Sequence, residues 1–282
     1  MESRNIMIVG TGAMGSGIAQ VCALSGHAVT LYDASDEMVE KAMASISWSL
    51  GKLADKNRLN EEKEIVLKRI GVAKNCSEAG NADFVIEAIV ENIEVKKSVF
   101  EEINNYASDK TILATNTSSI PVTEIAAAVK APERFVGIHF FNPVHRMQLV
   151  EIVKGVATSE ETVNASVALA KSLGKEPVVV NKDTAGFIVN RINGMAFLEA
   201  IRLYEKGVAS VEDIDKAVKL GLGYPLGPFE LMDMVGLDVV EGARKGIYEE
   251  TREPLHFPPT TLTRLVKAGH LGRKTGKGFY EY

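Results

Sequence analysis

The chain of 282 residues has only two cysteines, one tryptophan and no surplus of basic residues. Its formal net charge is −5, whereas a surface that binds nucleic-acid phosphates usually shows a clear basic excess, so we expect no nucleic-acid partner. No apolar run approaches the roughly 18 residues that a membrane span requires. We recognise no targeting segment before the first predicted strand, and we therefore expect a cytoplasmic protein without a membrane association.

The two cysteines, Cys22 and Cys76, suit a reducing compartment, and we expect no disulfide between them. Cys22 falls on the buried face of a predicted helix, where a cysteine usually serves as a small core residue. The composition is 46% hydrophobic and 24% charged, which is typical of a globular protein with a sizeable core. The length is enough for two domains of about 100–200 residues each.

Short apolar runs alternate with helical patterns over roughly the first 185 residues. Strands are predicted at 6–9, 28–32, 84–88, 111–114, 135–140, 149–153 and 177–180, and helices at 14–24, 36–53 and 93–106. Near-continuous apolar runs are typical of strands that are covered on both faces. The alternation therefore predicts an α/β fold with a doubly wound parallel sheet over residues 1–185.

The pattern becomes helical after residue 183. Thr184 is the predicted N-cap of a long helix that runs to Lys206, with Gly207 as its stop signal, and a second helix begins at Ser210. Further helices are predicted at about 229–249 and 260–268. We therefore predict a second, all-α domain over residues 186–282.

A glycine-rich loop, GTGAMG, joins the first predicted strand to the first helix. Gly10 permits a tight turn, Gly12 lets the backbone approach a pyrophosphate, and Gly15 lets the helix pack closely on the strand. The helix N-terminus supplies N–H groups and the positive end of a dipole. This motif in its strand–loop–helix context predicts a Rossmann-type dinucleotide site. The predicted pyrophosphate contacts are Gly10, Thr11, Gly12, Ala13, Met14 and Gly15.

Asp33 ends the second predicted strand, 18 residues after Gly15. A carboxylate there can accept hydrogen bonds from ribose hydroxyls and would repel a 2′-phosphate, which favours NAD over NADP. The alternative role for Asp33 is to cap the helix that begins near Ser35. A preference for NADP also stays an open alternative at this point.

A histidine and a glutamate on neighbouring predicted strands are the candidate chemical groups. His139 lies near the carboxyl end of one strand, and Glu151 interrupts the next, otherwise apolar, strand. If the chain reverses around residue 145, the two side chains face each other on antiparallel strands. Such a pair makes a good acid/base near neutral pH, although a strand histidine is often structural. His139, His145 and Glu151 fit no usual metal-ligand spacing, so we predict no metal site.

Seven sequence blocks, spread over the whole chain, resemble those of short-chain L-3-hydroxyacyl-CoA dehydrogenases, the group that includes 3-hydroxybutyryl-CoA dehydrogenase. The blocks are ATNTSS at 114–119, HFFNP at 139–143, LVE at 149–151, GFIVNR at 186–191, SVEDID at 210–215, GYPLGPFE at 223–230 and LGRKTGKGFY at 271–280. The resemblance implies the reversible, NAD-dependent oxidation of (S)-3-hydroxybutyryl-CoA or a related short-chain (S)-3-hydroxyacyl-CoA to the 3-oxoacyl-CoA.

The resemblance also implies roles for individual residues. His139 would be the acid/base and Glu151 would orient it, while Ser118 and Asn190 would hydrogen-bond the reacting oxygen or the acyl carbonyl. Positions around the nicotinamide half of the cofactor correspond to Glu91, Lys96, Ser118, Asn142 and Lys274. Ser49 and Lys56 correspond to positions that contact coenzyme A, although Lys56 is nearly as well explained as a solvated surface lysine.

The chain departs from the family pattern in the loop after His139. Residues 142–148 read NPVHRMQ where the family often has NPVPVMK, so His145 and Arg146 add positive charge that would favour an anionic group on the substrate. A second departure is Ala185 in place of the usual proline. The resemblance implies a homodimer that forms through the helical domain, and we expect the active site between the two domains.

Two other functions stay open from the residues alone. A related NAD oxidoreductase could act on a free hydroxy acid instead of a CoA thioester. A more remote alternative is a dinucleotide-binding protein without catalytic activity. The joint presence of His139, Glu151, Ser118 and Asn190 argues against this last alternative.

Overall fold

The computed structural model describes residues 3–282, which divide into two units between Asp183 and Thr184. The first unit is built on eight strands: β1 Asn5–Val9, β2 Ala28–Tyr32, β3 Ile70–Val72, β4 Phe84–Glu87, β5 Ile112–Thr115, β6 Phe135–Phe140, β7 Leu149–Val153 and β8 Glu176–Val180. They form one sheet in the order β3-β2-β1-β4-β5-β6-β7-β8. Strands β1 to β6 run parallel, β7 is antiparallel to β6, and β8 is parallel to β7. The predicted Rossmann-type sheet is confirmed.

Helices connect the strands of the first unit: α1 Ala13–Leu24, α2 Asp36–Ala54, α3 Lys63–Lys68, α4 Ile93–Ile103, α5 Val122–Ala126 and α6 Glu160–Ser172. Side-chain caps fix where α2, α4 and α6 begin, the last of them through Ser159. The Ser35 side chain accepts a hydrogen bond from the Met38 N–H at the start of α2. The Asn92 side chain accepts from the Glu94 and Val95 N–H groups at the start of α4. These caps satisfy amide donors that a helix N-terminus otherwise leaves unpaired.

The strand order places a crevice at the carboxyl ends of β1 and β4. These strands are neighbours, and the chain leaves them toward opposite edges of the sheet. Ligands of open α/β sheets bind at such a switch point. Strands β1, β4 and β6 are almost fully buried, so they hold the groups at their ends on a rigid base.

The second unit is helical, as predicted, with α7 Val189–Glu205, α8 Val211–Leu222, α9 Pro228–Val235, α10 Leu237–Thr251 and α11 Thr260–Lys267. Two predicted helix boundaries are wrong. The first helix begins at Val189 and not after Thr184, because Gly186 and Phe187 adopt positive φ angles that turn the chain. The single helix predicted at 229–249 is two helices, broken at Gly236, whose φ is 106°.

Two buried carboxylates organise this helical unit. Asp215 on α8 accepts hydrogen bonds from the Phe229 and Glu230 N–H groups, so it caps the start of α9. Asp233 on α9 accepts from the N–H groups of Phe279 and Tyr280, and thereby fastens the last residues of the chain. Each carboxylate satisfies backbone donors inside the unit, where an unpaired donor is costly.

Within residues 3–282, the helices include none that is both long and apolar enough to cross a membrane.

Candidate active site

The glycine loop follows β1 and opens α1, and its three glycines meet different surroundings. Gly10 has a φ of 95°, and a Cβ there would lie 2.6 Å from the Ala88 carbonyl oxygen. A Cβ on Gly15 would lie 1.8 Å from the Gly10 carbonyl oxygen, so the helix approaches the loop too closely for any side chain. A Cβ on Gly12 would meet no atom within 4 Å. Gly12 therefore borders open space that a pyrophosphate can occupy next to the N-terminus of α1.

A cavity of about 640 Å³ adjoins this loop. The loop residues Gly10, Thr11, Gly12, Ala13 and Met14 form one wall. Apolar side chains from the end of β4 and from α2 and α4 form the opposite walls: Met38, Ala88, Ile89, Val90, Val95 and Val99. An apolar cavity beside a phosphate-binding loop suits the adenosine half of a dinucleotide, so these residues fit NAD.

Asp33 lines the same cavity and joins the end of β2 to the glycine loop. Its Oδ2 accepts hydrogen bonds from the N–H and the hydroxyl of Thr11, at 2.8 and 3.0 Å. Its Oδ1 accepts from the Ser35 N–H at 3.1 Å. The Asp33 carboxylate therefore holds the loop in place, and the helix cap itself is Ser35. Because each carboxylate oxygen can accept two hydrogen bonds, Oδ1 can still accept one from a ribose hydroxyl.

His139 and Glu151 are directly opposite each other in the antiparallel β6–β7 pair. The His139 Nδ1 lies 2.7 Å from a Glu151 carboxylate oxygen, and the two residues are 5% and 1% exposed. A carboxylate buried in this way needs such a partner. The bond fixes the orientation of the imidazole. It can form because the chain reverses between β6 and β7 and brings the two residues opposite each other.

A buried lysine–carboxylate pair lies at the carboxyl end of β4. Glu87 is the last residue of this strand and has no exposed surface. It accepts hydrogen bonds from Lys96 Nζ at 2.6 Å, from the Thr115 hydroxyl at 2.7 Å and from the Ile89 N–H at 2.7 Å. Lys96 also lies 3.3 Å from the Glu91 carboxylate. Two carboxylates of the protein thus engage the Lys96 ammonium, which was predicted to face the cofactor.

Glu91 holds the segment that follows β5. One of its carboxylate oxygens accepts from the Thr117 hydroxyl at 2.6 Å, from the Ser118 N–H at 3.1 Å and from Ser119. Burial raises the pKa of Glu91, but the charge of Lys96 and these hydrogen bonds lower it by more, so its pKa lies below the usual range. Glu91 thereby links the buried pair at β4 to the backbone of the predicted substrate residue Ser118.

A buried lysine binds the main chain of the loop after His139. Lys175 donates to the main-chain oxygens of Val144 and Met147, the latter at 2.8 Å. Burial lowers the pKa of Lys175 below its usual range. Asn142, which was predicted to face the nicotinamide, lies at the exposed start of this loop. Lys175 therefore sets the shape of the loop, a role that the sequence analysis missed.

A second cavity of about 380 Å³ contains both residues predicted to contact coenzyme A. Ser49 and Lys56 line it together with Trp48, Lys52, Leu53, Arg58, His145 and Arg146. Trp48 is 67% exposed, and the Lys52 ammonium lies 5.8 Å from its ring centre. Among the residues from 3 onward no carboxylate lines this cavity, so it combines an aromatic surface with a set of cations.

The two predicted site residues of the second unit, Asn190 and Lys274, contact different residues. Asn190 lies in the first turn of α7, and its main-chain oxygen accepts from the Arg244 guanidinium at 2.9 Å. Lys274 is exposed and pairs with Asp238, with Nζ–Oδ1 and Nζ–Oδ2 distances of 2.6 and 2.7 Å. Burial raises the pKa of Asp238, but the hydrogen bond and the charge of Lys274 lower it by more.

In the part of the chain from residue 3 onward, no three His, Cys, Asp or Glu side chains are grouped so that they could hold a metal ion.

Family models of the 3-hydroxyacyl-CoA dehydrogenases match nearly the whole chain. The model of the NAD binding domain matches residues 5–184, and the model of the C-terminal domain matches residues 186–282.

Individual relatives resemble the chain over its full length. It is 46% identical to human mitochondrial hydroxyacyl-coenzyme A dehydrogenase, over 99% of this chain and 91% of that protein. It is 43% identical to a probable 3-hydroxybutyryl-CoA dehydrogenase of Bacillus subtilis, over 100% of this chain and 98% of that protein. The solved structure of (S)-3-hydroxybutyryl-CoA dehydrogenase from Ralstonia eutropha superimposes with a TM-score of 0.96 at 42% identity, covering 100% and 99% of the two chains.

Proposed function

The chain belongs to the 3-hydroxyacyl-CoA dehydrogenase family, and we propose that His139 and Glu151 carry out its chemistry. It is an NAD-dependent oxidoreductase that interconverts 3-hydroxyacyl-CoA and 3-oxoacyl-CoA, with 3-hydroxybutyryl-CoA as the reference substrate. The observation that carries the proposal is the buried 2.7 Å contact between the two side chains near the carboxyl end of β6.

The contact decides which nitrogen of His139 acts. Because Nδ1 is engaged by Glu151, proton transfer to and from the 3-oxygen falls to Nε2. In the oxidation direction, Nε2 accepts the proton of the 3-hydroxyl as a hydride leaves C3, and the Glu151 carboxylate stabilises the imidazolium. Bound NAD supplies the hydride acceptor. In the reduction direction, the imidazolium returns the proton to the 3-oxygen.

Ser118 and Asn190 are proposed to donate hydrogen bonds to the substrate oxygens, where negative charge develops during reduction. The bond from the Ser118 N–H to Glu91 supports this role for Ser118, because it fixes the main chain that carries the hydroxyl. For Glu91 and Lys96 we propose a positioning role beside the nicotinamide, and for Asn142 and Lys274 a contact with that half of the cofactor.

The proposed pyrophosphate contacts are Gly10, Thr11, Gly12, Ala13, Met14 and Gly15, and the proposed ribose contact is Asp33. Their support is the arrangement of the loop around a cavity that a Cβ at Gly12 would enter.

The coenzyme A part of the substrate is proposed to bind in the cavity lined by Ser49, Lys56 and Trp48. The cations of this cavity complement phosphates, and the exposed indole of Trp48 offers a stacking surface for adenine. The second candidate, a dehydrogenase of free hydroxy acids, does not account for this cavity. Replacing Arg58 with alanine should raise KM for a CoA thioester and leave KM for NADH unchanged.

A direct assay tests the proposed chemistry. The purified protein should oxidise NADH in the presence of acetoacetyl-CoA, and His139→Gln should abolish turnover while leaving NADH binding intact. Turnover by this variant at the wild-type rate would refute the role of His139. Further proposals are a cytoplasmic location, a homodimer that forms through the helical domain, and a boundary between domains at residues 185 and 186.

A further inference from the structure

A buried cation without an ion pair lies next to Asn190 in the helical unit. Arg244 on α10 is 2% exposed, and its Nη2 donates to the Asn190 main-chain oxygen at 2.9 Å. Over residues 3–282 it forms no salt bridge, and its Nη1 has no hydrogen-bond partner. Burial, and then the charge of Arg191, lower the pKa of Arg244 to about 10. Because burying an unpaired charge costs stability, a contribution to stability does not explain this arginine.

Helix α7, which packs against Arg244, has a glycine where the guanidinium lies. Gly194 lies on α7 one turn after Asn190, and a Cβ at that position would lie 2.0 Å from Arg244 Nη1. A glycine inside a helix costs roughly 1 kcal/mol relative to alanine. Helix α7 therefore carries an unfavourable residue where the guanidinium packs against it, next to the carbonyl that the same group binds.

The bond from Arg244 falls on the first turn of α7. The two residues Gly186 and Phe187 have positive φ angles, so the helix follows directly on a turn. Asn190 is only the second residue of the helix, and its main-chain oxygen is the one that Arg244 binds. A bond to its main-chain oxygen limits the rotation of this turn, and the direction of the Asn190 side chain depends on that rotation.

We propose that Arg244 is a positioning residue, which fixes the first turn of α7 and thereby directs the Asn190 side chain toward the reacting substrate. The proposal rests on the role of Asn190 in the proposed function. A side-chain amide that is misplaced by a fraction of an ångström forms a weaker hydrogen bond to the transition state. Its contribution to binding the substrate changes less. The effect of losing Arg244 therefore falls on kcat.

The test compares Arg244→Met in the full-length protein with Arg202→Met. Arg202 is a matched control, because it also donates to a main-chain oxygen in the helical unit, that of Leu255, but lies away from Asn190. Arg244→Met should lower kcat for acetoacetyl-CoA by about tenfold and change KM for NADH by less than about twofold. Arg202→Met should leave kcat at the wild-type value.

A second arm asks whether Arg244 acts through Asn190. Asn190→Ala should lower kcat, and adding Arg244→Met to it should lower kcat no further. A wild-type kcat for Arg244→Met, or an equal loss in both backgrounds, would overturn the proposal. If Arg244→Met does not fold, Gly194→Ala displaces the guanidinium and keeps its charge, and the same two outcomes apply to it.

The controls separate this proposal from the proposed function. If the wild-type protein turns over no CoA thioester, the proposed function fails. If it does so and Asn190→Ala keeps the wild-type kcat, the role of Asn190 and this proposal fail together. If Asn190→Ala lowers kcat and Arg244→Met does not, only the proposal for Arg244 fails.

Discussion

Replacing Glu151 with glutamine tests the proposed acid/base pair most directly. The substitution keeps the shape of the side chain and one acceptor oxygen for the Nδ1 proton of His139, and it removes only the negative charge. Both residues are buried in a strand pair with fixed register, so the amide has little room to move away. We therefore expect the fold to be retained and turnover to fall.

The size of the loss follows from the contact. A hydrogen bond to a charged group is worth about 1.5–3 kcal/mol, and this interaction strengthens as His139 becomes an imidazolium. Since each 1.36 kcal/mol is about a factor of ten, kcat should fall roughly 10- to 150-fold. KM for NADH should stay near the wild-type value, because Glu151 is remote in sequence from the glycine loop and does not line its cavity.

The assay is the oxidation of NADH by acetoacetyl-CoA under saturating conditions, together with a thermal unfolding curve for each variant. Glu160→Gln is the matched control, because Glu160 pairs with Lys154 on the exposed surface of the same unit. It should keep the wild-type kcat. A kcat for Glu151→Gln within about twofold of wild type, in a folded protein, would refute the argument that Glu151 stabilises the imidazolium.

Three further predictions concern the cofactor, the Ser118 segment and the helical unit. Asp33→Ala should raise the use of NADPH relative to NADH, measured as the ratio of kcat/KM values, and an unchanged ratio would contradict the ribose role. The lowered pKa of Glu91 means that its contribution to stability is present above the ordinary value of 4.5 and is lost as the pH falls through the lower folded value. Thermal unfolding of Glu91→Gln should consequently depend less on pH than that of the wild type in this acidic range. Asp215→Asn should lower the free energy of unfolding by about 3 kcal/mol in a denaturant titration, because a buried carboxylate that binds two backbone N–H groups becomes an amide.

The sequence predicts most of the first unit, because its strands are strongly apolar. Seven of the eight strands were expected, and the missing one, β3, has only three residues and a single buried side chain. The first, second and fourth helices were also expected. Helices α3 and α5 have six and five residues, which is too short for an apolar period to be recognised. The longer α6 was not among the predicted helices, although Ser159 gives it a recognisable cap.

The helical unit shows where local signals are insufficient. Thr184 and Gly207 look like the two ends of one helix, but the turn at Gly186 and Phe187 moves the true start to Val189. The positive φ at Phe187 has no signature in the sequence, since a bulky residue is rarely found there. The break at Gly236 is different, because a glycine inside a helical pattern is a recognisable warning.

One part of the candidate site was predictable because a charge interrupts an apolar strand. Glu151 was found in this way, and the β6–β7 register then brings it opposite His139. Arg244 gives no such signal, because it lies in a mixed helical segment and only the packing against α7 shows that it is buried.

Glu87, like Glu151, is a charged residue in an otherwise apolar strand, and its contacts extend to more of the candidate site. It interrupts the apolar run of β4 at the switch point of the sheet, where a buried carboxylate is costly unless several donors bind it. The donor that it binds most closely is Lys96, and Lys96 in turn binds Glu91, which holds the Ser118 N–H. A charge buried beside the cofactor cavity is thus connected, through two ion pairs, to the segment proposed to bind the substrate. A strand residue that breaks the apolar pattern at the carboxyl edge of such a sheet therefore marks the groups that position the site as well as those that react.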